Sequence, residues 1–143
     1  MTYFVTVEPA DGDAIPAAVR DGIRRGDPPD VGPRDYEPLV LALRDADGAV
    51  VGGAYGATMW SWLMLDGLWV DAALRGRGLG GRLLGEAEAV ARRRGCRAVW
   101  LDTFDFQARP FYERQGYRVV AELEGFPPGH THYRLRKDLG GTT

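Results

Sequence analysis

Residues 65–84 read Leu65-Asp66-Gly67-Leu68-Trp69-Val70-Asp71-Ala72-Ala73-Leu74-Arg75-Gly76-Arg77-Gly78-Leu79-Gly80-Gly81-Arg82-Leu83-Leu84. An apolar strand through Leu68, Trp69 and Val70 stops, a short turn follows, and a glycine- and arginine-rich loop opens into a helix that runs on to Arg94. The first N–H groups of a helix lack partners within it and lie at the positive end of its dipole, so they attract anions, phosphates above all. Gly76, Gly78, Gly80 and Gly81 carry no Cβ, which lets the backbone approach a bound group closely. Arg75, Arg77 and Arg82 add fixed positive charge around the same point. The stretch predicts a cradle for a diphosphate, built mainly from main chain.

Beyond the loop, Leu83, Leu84, Ala87, Val90 and Ala91 form the apolar stripe of the helix, with Glu86, Glu88 and Arg92 expected mostly outside. Arg92, Arg93 and Arg94 suit its negative end as a solvated last turn, and Gly95 closes it. A strand at 98–101 completes a βαβ unit with parallel strands. A loop at 103–107 leads to a short helix at 108–115, begun by Pro110 and ended by Gly116. Strands at 117–123 and 131–135 flank the turn Phe126-Pro127-Pro128-Gly129-His130.

Ahead of the loop, 39–43 reads as a buried strand, Asp45-Ala46-Asp47-Gly48 as a hairpin turn, and 49–59 as the returning strand. Gly52, Gly53 and Gly56 interrupt that strand and predict a bulge or a close backbone neighbour. Trp60, Trp62 and Met64 share one face, either as core or as an apolar wall for a ligand, with Ser61 and Leu63 on the other. Residues 3–7 alternate like a strand, and Ile15, Val19 and Ile23 share a helical face behind a cap at Asp13. Gly26 and Asp27-Pro28-Pro29-Asp30 end that helix, leaving a loop up to Pro38 that could fold over a substrate. The order β-α-β-β-β-α-β-α-β-β predicts an α/β fold: one mixed sheet of six to seven strands flanked by helices, parallel at its middle. It forms a single domain over 1–139, with a disordered tail at 140–143.

A chain of 143 residues with 45% hydrophobic composition can bury a core of its own. The net charge of -2 argues against a general nucleic-acid or membrane-surface binder. Cys96 is the sole cysteine, so no internal disulfide forms, and its place before an apolar strand reads as a buried small residue. No basic-then-apolar leader and no run of membrane-spanning length is present, so a cytoplasmic location is expected. No His/Cys/Asp spacing suggests a metal site.

Arg75-x-x-Gly78-x-Gly80 resembles the loop motif of the GCN5-related N-acetyltransferase (GNAT) family, in which loop amides hold the pyrophosphate of acetyl-coenzyme A. Gly76-x-Gly78-x-x-Gly81 also spells a dinucleotide fingerprint, with Asp102 about where a ribose-binding acid would stand. Its mid-chain position, with little sequence after it, argues against a nicotinamide-dependent reductase. A second stretch, Ala108-Arg109-Pro110-Phe111-Tyr112-Glu113-Arg114-Gln115-Gly116-Tyr117, resembles the family's later signature: a small residue, an aromatic-Tyr pair, then Gly and an aromatic.

The resemblance implies direct acetyl transfer to a primary amine, with acetyl-CoA as cosubstrate. Tyr112 would protonate the departing thiolate, and Trp69 and Val70 would pair with the pantetheine arm as if it were a strand, a backbone N–H near Val70 meeting the oxyanion. The strands through Val70 and Leu101 must then splay. The cofactor contacts would come from Arg75, Gly76, Arg77, Gly78, Leu79, Gly80 and Gly81. Many members carry Asn where this chain has Asp105, so Gln107 is the candidate for that amide contact. Asp66 is the favoured general base; Asp71 reads more simply as a cap. Trp60, Trp62, Glu37 and His130 are candidates for the acceptor site, and His130 and His132 lie near the last hairpin, where acceptors enter in that family. Each histidine also reads as a polar hairpin residue. A small-molecule amine is the expected partner, and the last hairpin could pair across a homodimer. A non-catalytic acyl-CoA sensor is the alternative from another class.

Overall fold

The computed structural model describes residues 1–140, so the tail expected at 140–143 lies, from 141 on, outside the described residues. The chain divides into two compact units, Met1–Pro33 and Arg34–Thr143. The first carries helix α1 (Ala14–Arg25), ended at Gly26 as its sequence predicts, and none of the helix residues is buried. The strand expected at 3–7 does not form: Tyr3, Phe4, Val5 and Val7 are exposed and enter no ladder. Alternation specifies a side-chain pattern, but a strand also needs a backbone partner.

The second unit is a six-stranded sheet with strands β1 (Glu37–Arg44), β2 (Val50–Met59), β3 (Trp62–Val70), β4 (Ala98–Phe104), β5 (Arg118–Glu124) and β6 (Thr131–Asp138), in the order β1-β2-β3-β4-β6-β5. Only β3 and β4 run parallel, joined by α2 (Leu79–Arg93); the other pairs are antiparallel. A short helix, α3 (Arg109–Arg114), follows β4. β4 continues through Thr103 and Phe104, which the sequence suggests as loop, because both pair with β6.

Period-two alternation sorts the sheet's side chains. Leu63 and Leu65 of β3, Val99 and Leu101 of β4, and Leu135 of β6 are buried in one core with Leu83, Leu84, Ala87 and Ala91 of α2. The intervening residues Trp62, Met64, Trp100, Arg134 and Arg136 therefore stand on the opposite face. β2 turns into β3 at Trp60 and Ser61, which hold φ of 48° and 63°. Two left-handed residues make the tight turn that matches strand twist, at a strain of about 1–2 kcal/mol for each non-glycine. Trp60 N donates to the Arg34 carbonyl at 2.9 Å, and the Arg34 guanidinium lies 4.4 Å over its ring.

Two expectations about α2 need correcting. Glu88 is buried, not solvent-facing. It stands four residues after Leu84 on the inner stripe, accepts from the Tyr117 hydroxyl at 2.8 Å, and pairs with Lys137 Nζ at 2.9 Å. Those partners are remote in sequence, so residue type alone pointed outward. Arg94 is likewise more than a solvated helix end: it donates to the Glu37 and Pro38 carbonyls and to Thr58 Oγ1 at 3.1–3.2 Å, tying α2 to the first two strands.

Candidate active site

The centre of the site is a gap in the sheet. The parallel ladder pairs Trp62 with Ala98 through Leu65 with Leu101 and then stops, although β3 runs on to Val70 and β4 to Phe104. The expected splay is present, and its cause is local. Gly56 of β2 pairs with Leu65 while Tyr55 pairs with Gly67, so Asp66 is an extra residue bulged out of β3 where the ladder ends. A bulge bends and twists its strand. Beyond it, residues 66–70 and 102–104 face one another without a ladder, and a narrow chain-like group can enter.

At the mouth of this gap lies the arginine loop. Asp71 caps the turn at Ala72–Leu74 by accepting from Ala73 N at 3.0 Å, as its position suggests. Arg75 Nε donates to the Val70 carbonyl at 3.3 Å, so its side chain anchors the loop to the end of β3. Gly76 and Gly78 have φ of 80° and 76°, the left-handed conformation that disfavours side chains. Among the described residues no protein acceptor takes the amides of residues 76–81; Arg82 N, bonded to the Gly78 carbonyl at 3.1 Å, opens the helical ladder. Unengaged amides at a helix start fit a diphosphate. Gly80 and Gly81 also lie beside the short helix α3. A Cβ on Gly80 would lie 3.4 Å from the Phe111 ring, and one on Gly81 3.3 Å from Gln115 Nε2. Their positions therefore lie at contact distance of the Phe111 ring and the Gln115 side chain.

That packing brings the two sequence motifs together. Tyr112, next to Phe111, is buried, its ring edge-on to Phe111 at 5.1 Å and to Tyr117 at 5.9 Å. Burial pushes its phenol above the usual tyrosine range. Gln107 Oε1 accepts from Thr103 Oγ1 at 3.3 Å and from Phe104 N at 3.2 Å, closing the turn between β4 and α3. The Asp105 carboxylate is held by His130 Nδ1 at 2.9 Å and Thr131 N at 3.1 Å, in the hairpin joining β5 and β6.

On the face opposite α2, Met59, Trp60, Trp62, Met64, Trp100, Val120, Arg134 and Arg136 line a cavity of about 460 Å³. Arg134 lies 4.2 Å over Trp100 and Arg136 4.7 Å over Trp62, so the wall is indole backed by guanidinium. Of the acceptor-site candidates, Trp60 and Trp62 meet here. Glu37 does not line the cavity; it pairs with Arg94 at 3.4 Å. His130 stays with Asp105. Asp66, at the bulge, is exposed.

One constellation was not foreseen. Asp102 receives a two-pronged bond from Arg134 at 2.8 and 3.0 Å, and His132 Nε2 lies 3.3 Å from its other side. The register pairs Asp102 with Arg134 and Phe104 with His132, an alignment no local pattern reveals. Burial raises the Asp102 carboxyl, but the hydrogen bonds and charges of Arg134 and His132 outweigh it and hold it below the ordinary aspartate range. Such a group adds stability above its unfolded pKa, about 4, and that stability is lost as pH falls through the folded value. Asp102→Asn should therefore flatten the fall in melting temperature below about pH 4, read as Tm against pH.

A strand gap, an amide-lined loop and an aromatic pocket are carried by one mixed sheet. The acetyltransferase (GNAT) family model matches residues 18–117, and the chain belongs to that family. It is 50% identical over 93 residues to Blasticidin-S acetyltransferase of Streptomyces morookaense, covering 64% of this chain and 68% of that protein. It is 34% identical over 134 residues to an acetyltransferase of Agrobacterium fabrum, covering 94% and 97% of the two chains. The crystal structure of an acetyltransferase from Bacillus cereus superposes with a TM-score of 0.83 at 31% identity, over 96% of this chain and 97% of that one.

Proposed function

We propose that this acetyltransferase moves the acetyl group of acetyl-CoA directly onto a small primary amine seated in the tryptophan-lined cavity. The observation that carries this is the parted ladder beyond Leu65 and Leu101, with the free amides of residues 76–81 at its mouth. The diphosphate would sit on those amides with Arg77 and Arg82 nearby, and the pantetheine arm would lie along Trp69 and Val70. The Val70 N–H region would meet the developing oxyanion, and Tyr112 would return a proton to the thiolate.

A cavity of about 460 Å³ accommodates a compact molecule. Likeness to Blasticidin-S acetyltransferase supports a small-molecule acceptor over a protein tail. Arg134 and Arg136 are each paired with a carboxylate, Asp102 and Asp138, so the wall presents indole faces and no unpaired positive charge to an entering amine. Asp66, where the strands part, is the sequence's candidate for the base.

The test compares thermal shifts with acetyl-CoA and with NAD, followed by thiol release against an amine panel. Acetyl-CoA at about 100 times its Kd should stabilise the protein by about 2.7 kcal/mol, roughly 8 °C. NAD should give no shift. A shift with acetyl-CoA but no transfer to any amine would favour the sensor reading; a shift with NAD alone would overturn both.

A further inference from the structure

We propose that His132 is the general base of the transfer, with Asp102 as the residue that positions it, an inference that rests on the acetyltransferase reading above. The pair lies on the sheet face that carries the cavity: Trp100, Asp102 and Phe104 alternate onto it from β4, and Arg136, Arg134 and His132 stand opposite them on β6. Asp102 is the first residue of β4 past the last parallel pair, so the dyad begins where the gap opens. Arg134 joins the two features, since it lines the cavity and grips Asp102.

The imidazole is fixed from three sides. Phe126 stacks on it at 5.2 Å with planes 15° apart, Phe104 meets it edge-on at 5.2 Å, and Asp102 holds Nε2. Its side chain keeps 12% exposure, sheltered but open to one small group. With the bidentate Arg134 keeping Asp102 ionised, the carboxylate 3.3 Å from Nε2 favours the tautomer protonated there, which leaves the lone pair on Nδ1. Among the described residues no protein group bonds to Nδ1. The charged group in contact with the ring is Asp102 on β4, itself gripped by Arg134 on β6, while Asp105 and His130 lie in the adjoining turns. Asp105 and His130 bind each other, so neither competes for the ring.

Asp66 has no comparable support. It is exposed on the bulge, and among the described residues no side chain orients it. In the step assigned, the amine nitrogen bonds to the thioester carbonyl carbon and passes its proton to His132 Nδ1. The carbon–sulfur bond breaks, the thiolate takes the Tyr112 proton, and both side chains re-equilibrate with water.

The experiment measures kcat/KM against pH for wild type, His132→Gln, Asp102→Asn and Asp66→Asn, using a transferred amine from the panel and thiol release. His132→Gln is expected to lower kcat/KM by about 100-fold, to remove the acid limb owed to the imidazole, and to leave the acetyl-CoA thermal shift unchanged. Asp102→Asn should cost about tenfold and displace that limb, which a merely structural role would not do. Should Gln fail to fold between the two phenylalanines, His132→Phe keeps the ring packing and reads the same limb. A wild-type rate and limb in the His132 variant, or loss of the limb in Asp66→Asn alone, overturns the assignment. A wild type that shifts with acetyl-CoA yet transfers to no amine fails one level earlier, and the base assignment falls with the enzyme reading.

Discussion

Replacing Tyr112 with Phe lowers kcat for acetyl transfer by about 10³-fold, while acetyl-CoA still raises the melting temperature as it does for wild type. Two neighbouring tyrosines differ in how their hydroxyls are engaged. The Tyr117 hydroxyl is committed to buried Glu88 at 2.8 Å, and burial together with that carboxylate pushes its pKa far upward. Tyr112 is as well buried, yet among the described residues no group hydrogen-bonds its hydroxyl. Among the described residues Arg136 Nε is the buried side-chain polar atom left without a partner, so the Tyr112 hydroxyl, which has none, stays open to a small group. Its raised pKa keeps the phenol protonated at neutral pH, so a proton is in place when the thiolate leaves. Removing one oxygen leaves the ring contacts with Phe111 and Tyr117 in place, so stability should change little. Unchanged turnover in Tyr112→Phe with cofactor still bound would remove the proton-donor role.

The second large effect is on the sheet. Gly56→Ala should destabilise the protein by about 3 kcal/mol or more, lowering Tm by roughly 10 °C. A Cβ on Gly56 would stand 2.0 Å from the Met64 carbonyl oxygen, with the Leu65 Cα 3.0 Å away. Both contacts are main chain, so no side-chain rotation relieves them. The strands must separate at the register shift that bulges Asp66 and opens the gap. Loss of acetyl-CoA affinity should therefore accompany the lowered Tm, measured by thermal melts with and without ligand. A variant with wild-type Tm would show that the bulge tolerates widening. Gly48→Ala, where nothing lies within 4 Å of the new Cβ, bears only the strain of a left-handed turn residue and is the milder comparison.

Much of the site could be read along the chain because its signals are local. The strand, loop and helix around Arg75–x–x–Gly78–x–Gly80 announce themselves through composition and order, since a helix start needs no distant partner to expose its amides. The glycines of β2 announced a close backbone neighbour for the same reason. Other features depend on which strand lies beside which. Residue type alone points Glu88 to solvent, because its partners, Tyr117 and Lys137, come from later elements. The Asp102–Arg134–His132 group exists only through the β4–β6 register. The turn at Trp60 and Ser61 carries none of the glycine or asparagine that usually marks a left-handed pair, so its position was not visible.

The amino-acid order by itself determined a mixed α/β chain with a glycine-rich helix start and a tyrosine motif after it, because short-range periodicity and backbone chemistry suffice for both. The tertiary structure decided where the parallel ladder stops, which elements pack beside the glycine loop, and which carboxylate and imidazole share a face. Those outcomes depend on strand register and close main-chain packing, which arise only when segments far apart in the chain are laid side by side.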